Sequence, residues 1–200
     1  KKMINNRPLV SVILPVYNDE TNIENAVNSV LDQTYRNIEL LIYNDGSSDT
    51  TKKILNNINS PSVKVYSGEK NLGLTRALNF LISKSNGEII ARQDSDDISH
   101  MNRIEMQVNY LQTHKLDATA SRARRKNSMR KIPSVSFYLP LKIQALYKNP
   151  MIHGTLMIKK SVLKELNLYN EEFKYSQDYK LLVDLLNNGY KFKILNKVLY

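Results

Sequence analysis

Three carboxylates crowd into four positions at Asp94-Ser95-Asp96-Asp97. Like charges packed this closely repel one another unless a cation or water screens them. Hard divalent cations favour oxygen ligands, and Mg²⁺ often takes one or two carboxylates and completes its shell from substrate phosphates. The run therefore reads in two ways, as a Mg²⁺ or Mn²⁺ site or as a solvated acidic turn capping a helix after Ser99. Asp45 offers an acceptor for a base N–H or a ribose hydroxyl, or else makes a plain Asp-Gly turn with Gly46. Arg76 could reach a diphosphate or sit on the surface. Asp178 lies near the start of an amphipathic helix, where the macrodipole stabilises negative charge; its other reading is a general base that takes a proton from a hydroxyl. His153 precedes Gly154 and an apolar stretch, and either faces a ligand or packs.

The elements that must position these groups alternate from the start. Residues 9–14 are apolar on both faces, as a buried parallel strand should be. Residues 21–34 place Ile23, Ala26, Val27, Val30 and Leu31 on one helical face, with Thr21 and Glu24 spaced for a capping box. Strands are expected at 38–43, 63–66 and 88–92, with helices through Ile54, Leu55 and Ile58 and through Leu74, Ala77, Leu78, Leu81 and Ile82. Asn86-Gly87 suits a helix C-cap. This βαβαβαβ order predicts a mainly parallel, doubly wound α/β sheet with helices on both faces. Ligands in such sheets bind beyond the carboxyl ends of the strands. Residues 15–20, 44–49 and 94–97 all fall there, which points to a nucleotide site.

The second half is less regular. Helices are expected at 101–114, 141–147 and 177–187, the last closed by Gly189, and strand-like runs at 154–158, 192–195 and 198–200. No internal repeat or linker appears. We read a single domain over 1–200, with a nucleotide-binding half at 1–100 and an acceptor-binding half at 101–200.

Composition removes several classes. The 200 residues contain no Cys, which excludes disulfides, thiolate metal sites and a thiol nucleophile. No apolar run approaches the roughly 18–20 residues of a membrane span. Lys1-Lys2 and the apolar stretch after them faintly imitate a signal peptide, but Pro15 interrupts it and no small-residue cleavage site follows. There is no Walker loop, dinucleotide fingerprint, serine elbow or HExxH pair. The net charge of +10 favours anionic partners.

In their order and spacing the segments resemble family-2 glycosyltransferases of the GT-A fold. The resemblance rests on residues 10–18 (VSVILPVYN), 29–35 (SVLDQTY), 44–49 (NDGSSD), 71–79 (NLGLTRALN), 87–97, 149–154 (NPMIHG) and 177–179 (QDY). It implies an inverting transferase with a nucleotide-sugar donor, a UDP-sugar foremost. Pro15, Tyr17, Asn18, Glu20, Asp45, Arg76, Asp94, Ser95 and Asp96 would form the nucleotide site. Asp96 and Asp97 would hold Mn²⁺ or Mg²⁺, Asp178 would be the catalytic base, and His153 would lie near the acceptor. The acceptor would be a glycan or a lipid-linked glycan, in capsule, lipopolysaccharide or related assembly in a bacterium. Asn44 stands where the family often has Asp, and Gln177 where many members have Glu. Relatives usually continue beyond Tyr200, so a C-terminal lid or membrane-contacting segment is expected to be missing. The alternative is a non-catalytic nucleotide-sugar-binding or scaffold subunit.

Arg122, Arg124, Arg125, Lys126, Arg130 and Lys131 fall within ten residues. They read as a solvated loop, or as a contact to an anionic bilayer or a phosphorylated acceptor. The expected setting is cytoplasmic, at the inner face of the membrane. A nucleic-acid partner is not expected, since no aromatic residues interleave with the basic run.

Overall fold

The computed structural model describes residues 7–125, 130–133, 135–173 and 175–200. The first half runs β1 (Val10–Val16), α1 (Ile23–Leu31), β2 (Ile38–Asn44), α2 (Thr51–Asn56), β3 (Val63–Ser67), α3 (Leu74–Lys84) and β4 (Ile89–Arg92). The second half runs α4 (Arg103–Thr113), β5 (Ala118–Arg124), β6 (Lys131–Ile132), α5 (Leu141–Tyr147), β7 (Met157–Lys159), α6 (Lys160–Glu165), α7 (Gln177–Asn187) and β8 (Phe192–Val198).

The sheet order is β3-β2-β1-β4-β7-β5-β6, with β8 alongside β5. The pairs among β1 to β4 are parallel, as is β5 with β8. β7 lies antiparallel between β4 and β5, so strands from both halves share one sheet.

Strand periodicity divides the core into two layers. Val10, Val12, Leu14 and Val16 of β1 point to one face, where Ile23, Val27 and Val30 of α1, Leu55 of α2, and Ile104 and Val108 of α4 cover them. Ile13 points to the other face, against Leu78, Leu81 and Ile82 of α3, Leu163 of α6, and Leu181 and Leu185 of α7. Each of these side chains is at most 2% exposed, apart from Val16 at 3%. At about 25 cal/mol per Å² of apolar surface removed from water, this two-sided burial is what holds β1 at the centre.

Several expectations need correction. Thr21 and Glu24 form no capping box; α1 starts at Ile23 with Asn22 before it and no side-chain cap. Asn22 instead donates to Asp19 Oδ1 at 2.7 Å. Gly87 is not a left-handed helix cap. α3 ends at Lys84 with Ser85 extended, and Gly87 is needed because a Cβ would lie 2.6 Å from Ser11 Oγ and 2.7 Å from the Leu9 carbonyl. Gly189 does close α7, at φ +76°. There the Tyr190 N–H donates to the Leu185 carbonyl at 3.0 Å, as in a Schellman ending. Residues 153–155 form a 3₁₀ turn and only 157–159 a strand. Of the two runs expected near the end, the first extends into one strand, β8, that stops at Val198, so Leu199 and Tyr200 lie beyond it.

The largest departure concerns the basic run. Its start is not a solvated loop but the end of β5, buried from Ala118 to Ala123. Arg122 is 7% exposed, lies 4.9 Å over the Phe137 ring and donates to Asn196 Oδ1 at 2.8 Å. It cannot meet a bilayer from there. Arg124, Arg125, Arg130 and Lys131 are exposed, and Lys126 lies outside the described residues. Among the described residues no helix is long and apolar enough to cross a membrane.

Candidate functional site

The loops after β1, β2 and β4 meet at the carboxyl ends of the parallel strands, and side chains lock them together. After β1, Asn18 takes φ 47° and accepts from the Ser48 N–H at 2.8 Å. Glu20 Oε2 accepts from the N–H and hydroxyl of Thr50 at 2.9 and 2.5 Å. Asp19 Oδ2 accepts from the Ser95 hydroxyl at 2.6 Å, which joins the first loop to the acidic run. Asn18 and Glu20 thus hold the second loop through oxygens that the sequence reading reserved for nucleotide. Pro15 is buried, and Tyr17 stands 49% exposed at the mouth.

Asp45 is 4% exposed. Its Oδ1 accepts from the Leu72 N–H at 2.7 Å and its Oδ2 from the Gly73 N–H at 2.9 Å. It therefore pins residues 72–73 beside β2, just ahead of α3. Gly46 beside it, at φ +74°, packs so close that a Cβ would fall 2.6 Å from the Lys70 carbonyl carbon. The adjoining Asn44 turns its Oδ1 to the Ser47 N–H at 3.0 Å, a local turn bond. Arg76 is exposed on α3 and pairs with Glu171 at 3.3 Å.

At the acidic run, Asp94 takes the guanidinium of Arg92, a residue 1% exposed. The Asp94 N–H donates to the Tyr200 hydroxyl oxygen at 2.7 Å. Asp96 is exposed and Asp97 half-buried. The Asp97 carboxyl is pushed up to about 6, first by burial and then by Asp94 and Asp96, against the opposing Tyr200 hydroxyl and Arg103. A cation beside these groups would relieve both effects, so the run suits one. Among the described residues no three His, Cys, Asp or Glu side chains form a self-sufficient metal site. The donor set instead fits Mg²⁺ or Mn²⁺ that takes one or two carboxylates and borrows phosphate oxygens.

Beneath the run lies a layer of fully buried polar side chains. Gln93 Nε2 donates to the Asp94 and Asp97 carbonyls at 3.0 and 2.9 Å, fixing the turn. Arg103 holds Gln93 in place and is itself fully buried. Gln33, from residues 29–35, accepts from the Ile104 N–H at 3.0 Å and donates to the His100 carbonyl at 2.9 Å. That segment thus clamps α4 and the loop before it to the end of α1.

On the other side, Asp178 occupies the first turn of α7. Asn149 Nδ2 donates to its Oδ2 at 2.7 Å. His153 sits on the 3₁₀ turn with Nε2 2.9 Å from the Tyr169 hydroxyl. Burial and then Arg92 hold its pKa well below the usual value, so the ring is neutral. Burial pushes the Tyr169 hydroxyl up; Arg92 opposes this, while Asp178 and Asp94 add to it. Tyr169 thus feels the fields of both the acidic run and Asp178. Gly154 explains how the two parts approach: a Cβ there would fall on the Tyr200 hydroxyl and within 2.5 Å of Asp94 Oδ2. Asn149 and Gly154 lie in the residues 149–154 already singled out, and Arg92 in 87–97 but without a role; Tyr169 and Tyr200 carried no local signal.

The neutral His153 predicts a pH effect on stability. Its folded pKa is depressed, so the unfolded chain binds the extra proton once pH falls below about 6.5. Stability is complete above that pH and falls by up to about 1.4 kcal/mol per pH unit below it, until the folded form also protonates. Urea unfolding of His153→Asn should show a flatter acid limb than wild type between pH 6.5 and about 5. Parallel limbs would show that His153 titrates normally.

A cleft of about 770 Å³ lies at the amino ends of β1 and β4 among Pro8, Gly87, Lys115 and Lys160. No acidic run or loop convergence accompanies it, and ligands of such sheets bind at the opposite ends. We therefore place the site at the carboxyl ends.

This architecture has known counterparts. Staphylococcus aureus TarS in complex with UDP-GlcNAc superposes with a TM-score of 0.82 at 24% identity, covering 96% of this chain and 57% of that one. A mannosyltransferase from Pyrobaculum calidifontis, in complex with GDP-Man and Mn²⁺, gives 0.80 at 22% identity over 97% and 56%. The fold is thus that of the GT-A glycosyltransferases. An uncharacterized glycosyltransferase of Haemophilus influenzae is 32% identical over 92% of this chain, and the chain spans 62% of its length. With residues 11–167 matching the family model described as glycosyl transferase family 2, the chain belongs to that family.

Proposed function

We propose that the chain transfers a sugar from a nucleoside-diphosphate sugar, a UDP-sugar foremost, to a hydroxyl of a glycan or lipid-linked acceptor, with inversion. The carrying observation is the placement of Asp178. It is a carboxylate held by Asn149, and it shares the electrostatic neighbourhood of Tyr169 with Asp94. The UDP-GlcNAc of TarS and the GDP-Man with Mn²⁺ of the mannosyltransferase support a nucleotide-sugar donor on a fold of this type.

In this reading residues 1–100 bind the donor. Pro15, Tyr17 and Asp45 hold the base, with the loops pinned by Asn18 and Glu20. Arg76, Asp94 and Ser95 serve the ribose and diphosphate, and Asp96 and Asp97 hold Mn²⁺ or Mg²⁺. When bound, the ion neutralises charge on the departing diphosphate. Residues 101–200 face the acceptor. Asp178 accepts the proton of the acceptor hydroxyl as its oxygen attacks the anomeric carbon. The bond from that carbon to the diphosphate oxygen breaks on the opposite face, so one displacement inverts the centre. His153, neutral and bonded to Tyr169, shapes the acceptor side without competing for the proton. A cytoplasmic setting at the inner membrane face completes the reading and rests on the family and on the exposed basic residues after β5.

Calorimetric titration with UDP, GDP, CDP and dTDP, with and without Mn²⁺, tests the donor site. One diphosphate should bind with Mn²⁺ and lose at least about tenfold in affinity in Asp96→Ala. No binding with or without metal, or binding indifferent to Asp96→Ala, would overturn the assignment.

A further inference from the structure

Arg124 closes β5 and Arg125 follows it, both exposed. Among the described residues neither forms an ion pair. Yet both line a cleft of about 410 Å³ that has Asp97, Ile152 and Tyr200 among its other walls. The main chain of Arg124 is tied to the acidic run through Tyr200: the Arg124 N–H donates to the Tyr200 carbonyl at 2.9 Å, and the Tyr200 hydroxyl receives the Asp94 N–H. Two unneutralised guanidiniums therefore stand beside the acidic run without collapsing onto it.

The sheet order says which substrate they face. The loops assigned to the base belong to β1 and β2, on one side of β4, and the acidic run follows β4 itself; β5 lies two strands away on the other side, past β7. Ile152 in the cleft wall belongs to the short segment that also carries Asn149, the partner of Asp178. The cleft thus lies between Asp97 of the acidic run and the segment whose Asn149 holds Asp178, away from the loops after β1 and β2. Planar guanidinium forks match the oxygens of phosphate groups and bind them with charge-assisted hydrogen bonds.

We propose that Arg124 and Arg125 form an anion subsite for a phosphate group carried by the acceptor. This rests on the transferase reading, with the donor diphosphate assigned to the Asp96 and Asp97 side. It narrows the acceptor to phosphate-bearing molecules, such as a lipid-linked glycan diphosphate or a phosphodiester polymer. It also gives the exposed part of the basic run a different role from Arg122, whose charge is spent inside the fold.

The test titrates inorganic pyrophosphate in EDTA, followed by phosphorus NMR, on wild type, R124Q/R125Q and D96A. Wild type and D96A should bind alike, and R124Q/R125Q at least about tenfold more weakly, with binding that falls as salt rises. Mn²⁺-dependent binding of the preferred nucleoside diphosphate should be unchanged in R124Q/R125Q. Equal pyrophosphate binding in wild type and R124Q/R125Q, or none in either, overturns the subsite. So does loss of nucleotide affinity in R124Q/R125Q, which would move the arginines to the donor. Retention on phosphatidylglycerol-containing vesicles that needs both arginines, without pyrophosphate binding, would instead assign them to a bilayer surface. A failed donor site shows in the nucleotide titration alone and leaves the EDTA titration readable.

Discussion

Asp178→Asn should lower turnover of the nucleotide-sugar donor to nucleoside diphosphate by about 10²–10⁴-fold, the range of a positioned general base. The substitution keeps the shape of the side chain, and the carbonyl that replaces Oδ2 can still accept from Asn149 Nδ2. What it removes is the ability to take a proton. The cost to α7 is small: one negative charge in its first turn contributes about 0.3–1 kcal/mol through the macrodipole. The result should therefore be a fall in kcat with Mn²⁺-dependent nucleotide affinity within about twofold of wild type, since an interaction made only in the transition state leaves ground-state binding alone. The measurements are donor turnover with acceptor present and a parallel calorimetric titration. Equal losses in both would make Asp178 a donor-binding or structural residue and withdraw the single-displacement mechanism. Asp96→Ala is the contrasting case, in which binding itself should be lost.

What could be read in advance follows from where the chemistry sits. β1, β2 and β4 are almost wholly buried, so each is dominated by apolar residues, and the polar clusters that follow them stand out. That contrast makes residues 15–20, 44–49 and 94–97 legible as one place. β5 shows the reverse. Ala118, Thr119, Ala120 and Ser121 are each fully buried between β7 and β8. Small and hydroxylic side chains fit there because main-chain and side-chain partners satisfy them: Thr119 donates to the Lys193 carbonyl at 2.7 Å, and the Ser121 N–H to Thr155 Oγ1 at 3.1 Å. Such a strand has no apolar signature, and the arginines after it made the stretch look solvated. Arg122 was misread for the same reason, since its partners Phe137 and Asn196 are remote in sequence. The Asp178 contact with Asn149 spans 29 residues and has no local signal. Gly87 shows a subtler limit. Its position after α3 suggested a turn conformation, but the cause is the closeness of β1.

Arg103 was invisible in the sequence, yet its loss should be the most destabilising. It is fully buried and donates to Gln107 Oε1, Gln93 Oε1, the Ser99 hydroxyl and the Arg92 carbonyl at 2.7–3.1 Å. Burial lowers its pKa to about 10, so it stays charged at neutral pH. Its guanidinium also stacks 4.9 Å over the Tyr200 ring. Arg103→Met fills similar space but strands these acceptors without donors, at about 1–3 kcal/mol for each group left unsatisfied. Partial relaxation brings the expected loss to about 3–5 kcal/mol, the range for breaking a buried charged network. Arg103→Lys should rescue little, because one ammonium cannot span four acceptors set around a planar fork. The consequence reaches the site because Gln93 holds the Asp94 and Asp97 carbonyls and Arg103 holds Gln93. Urea unfolding should thus show the stability loss, and titration below the unfolding transition should show weakened Mn²⁺-dependent nucleotide binding in the same variant. Lost stability with intact binding would mean that Gln93 fixes the acidic turn unaided, and that the buried arginine serves the fold alone.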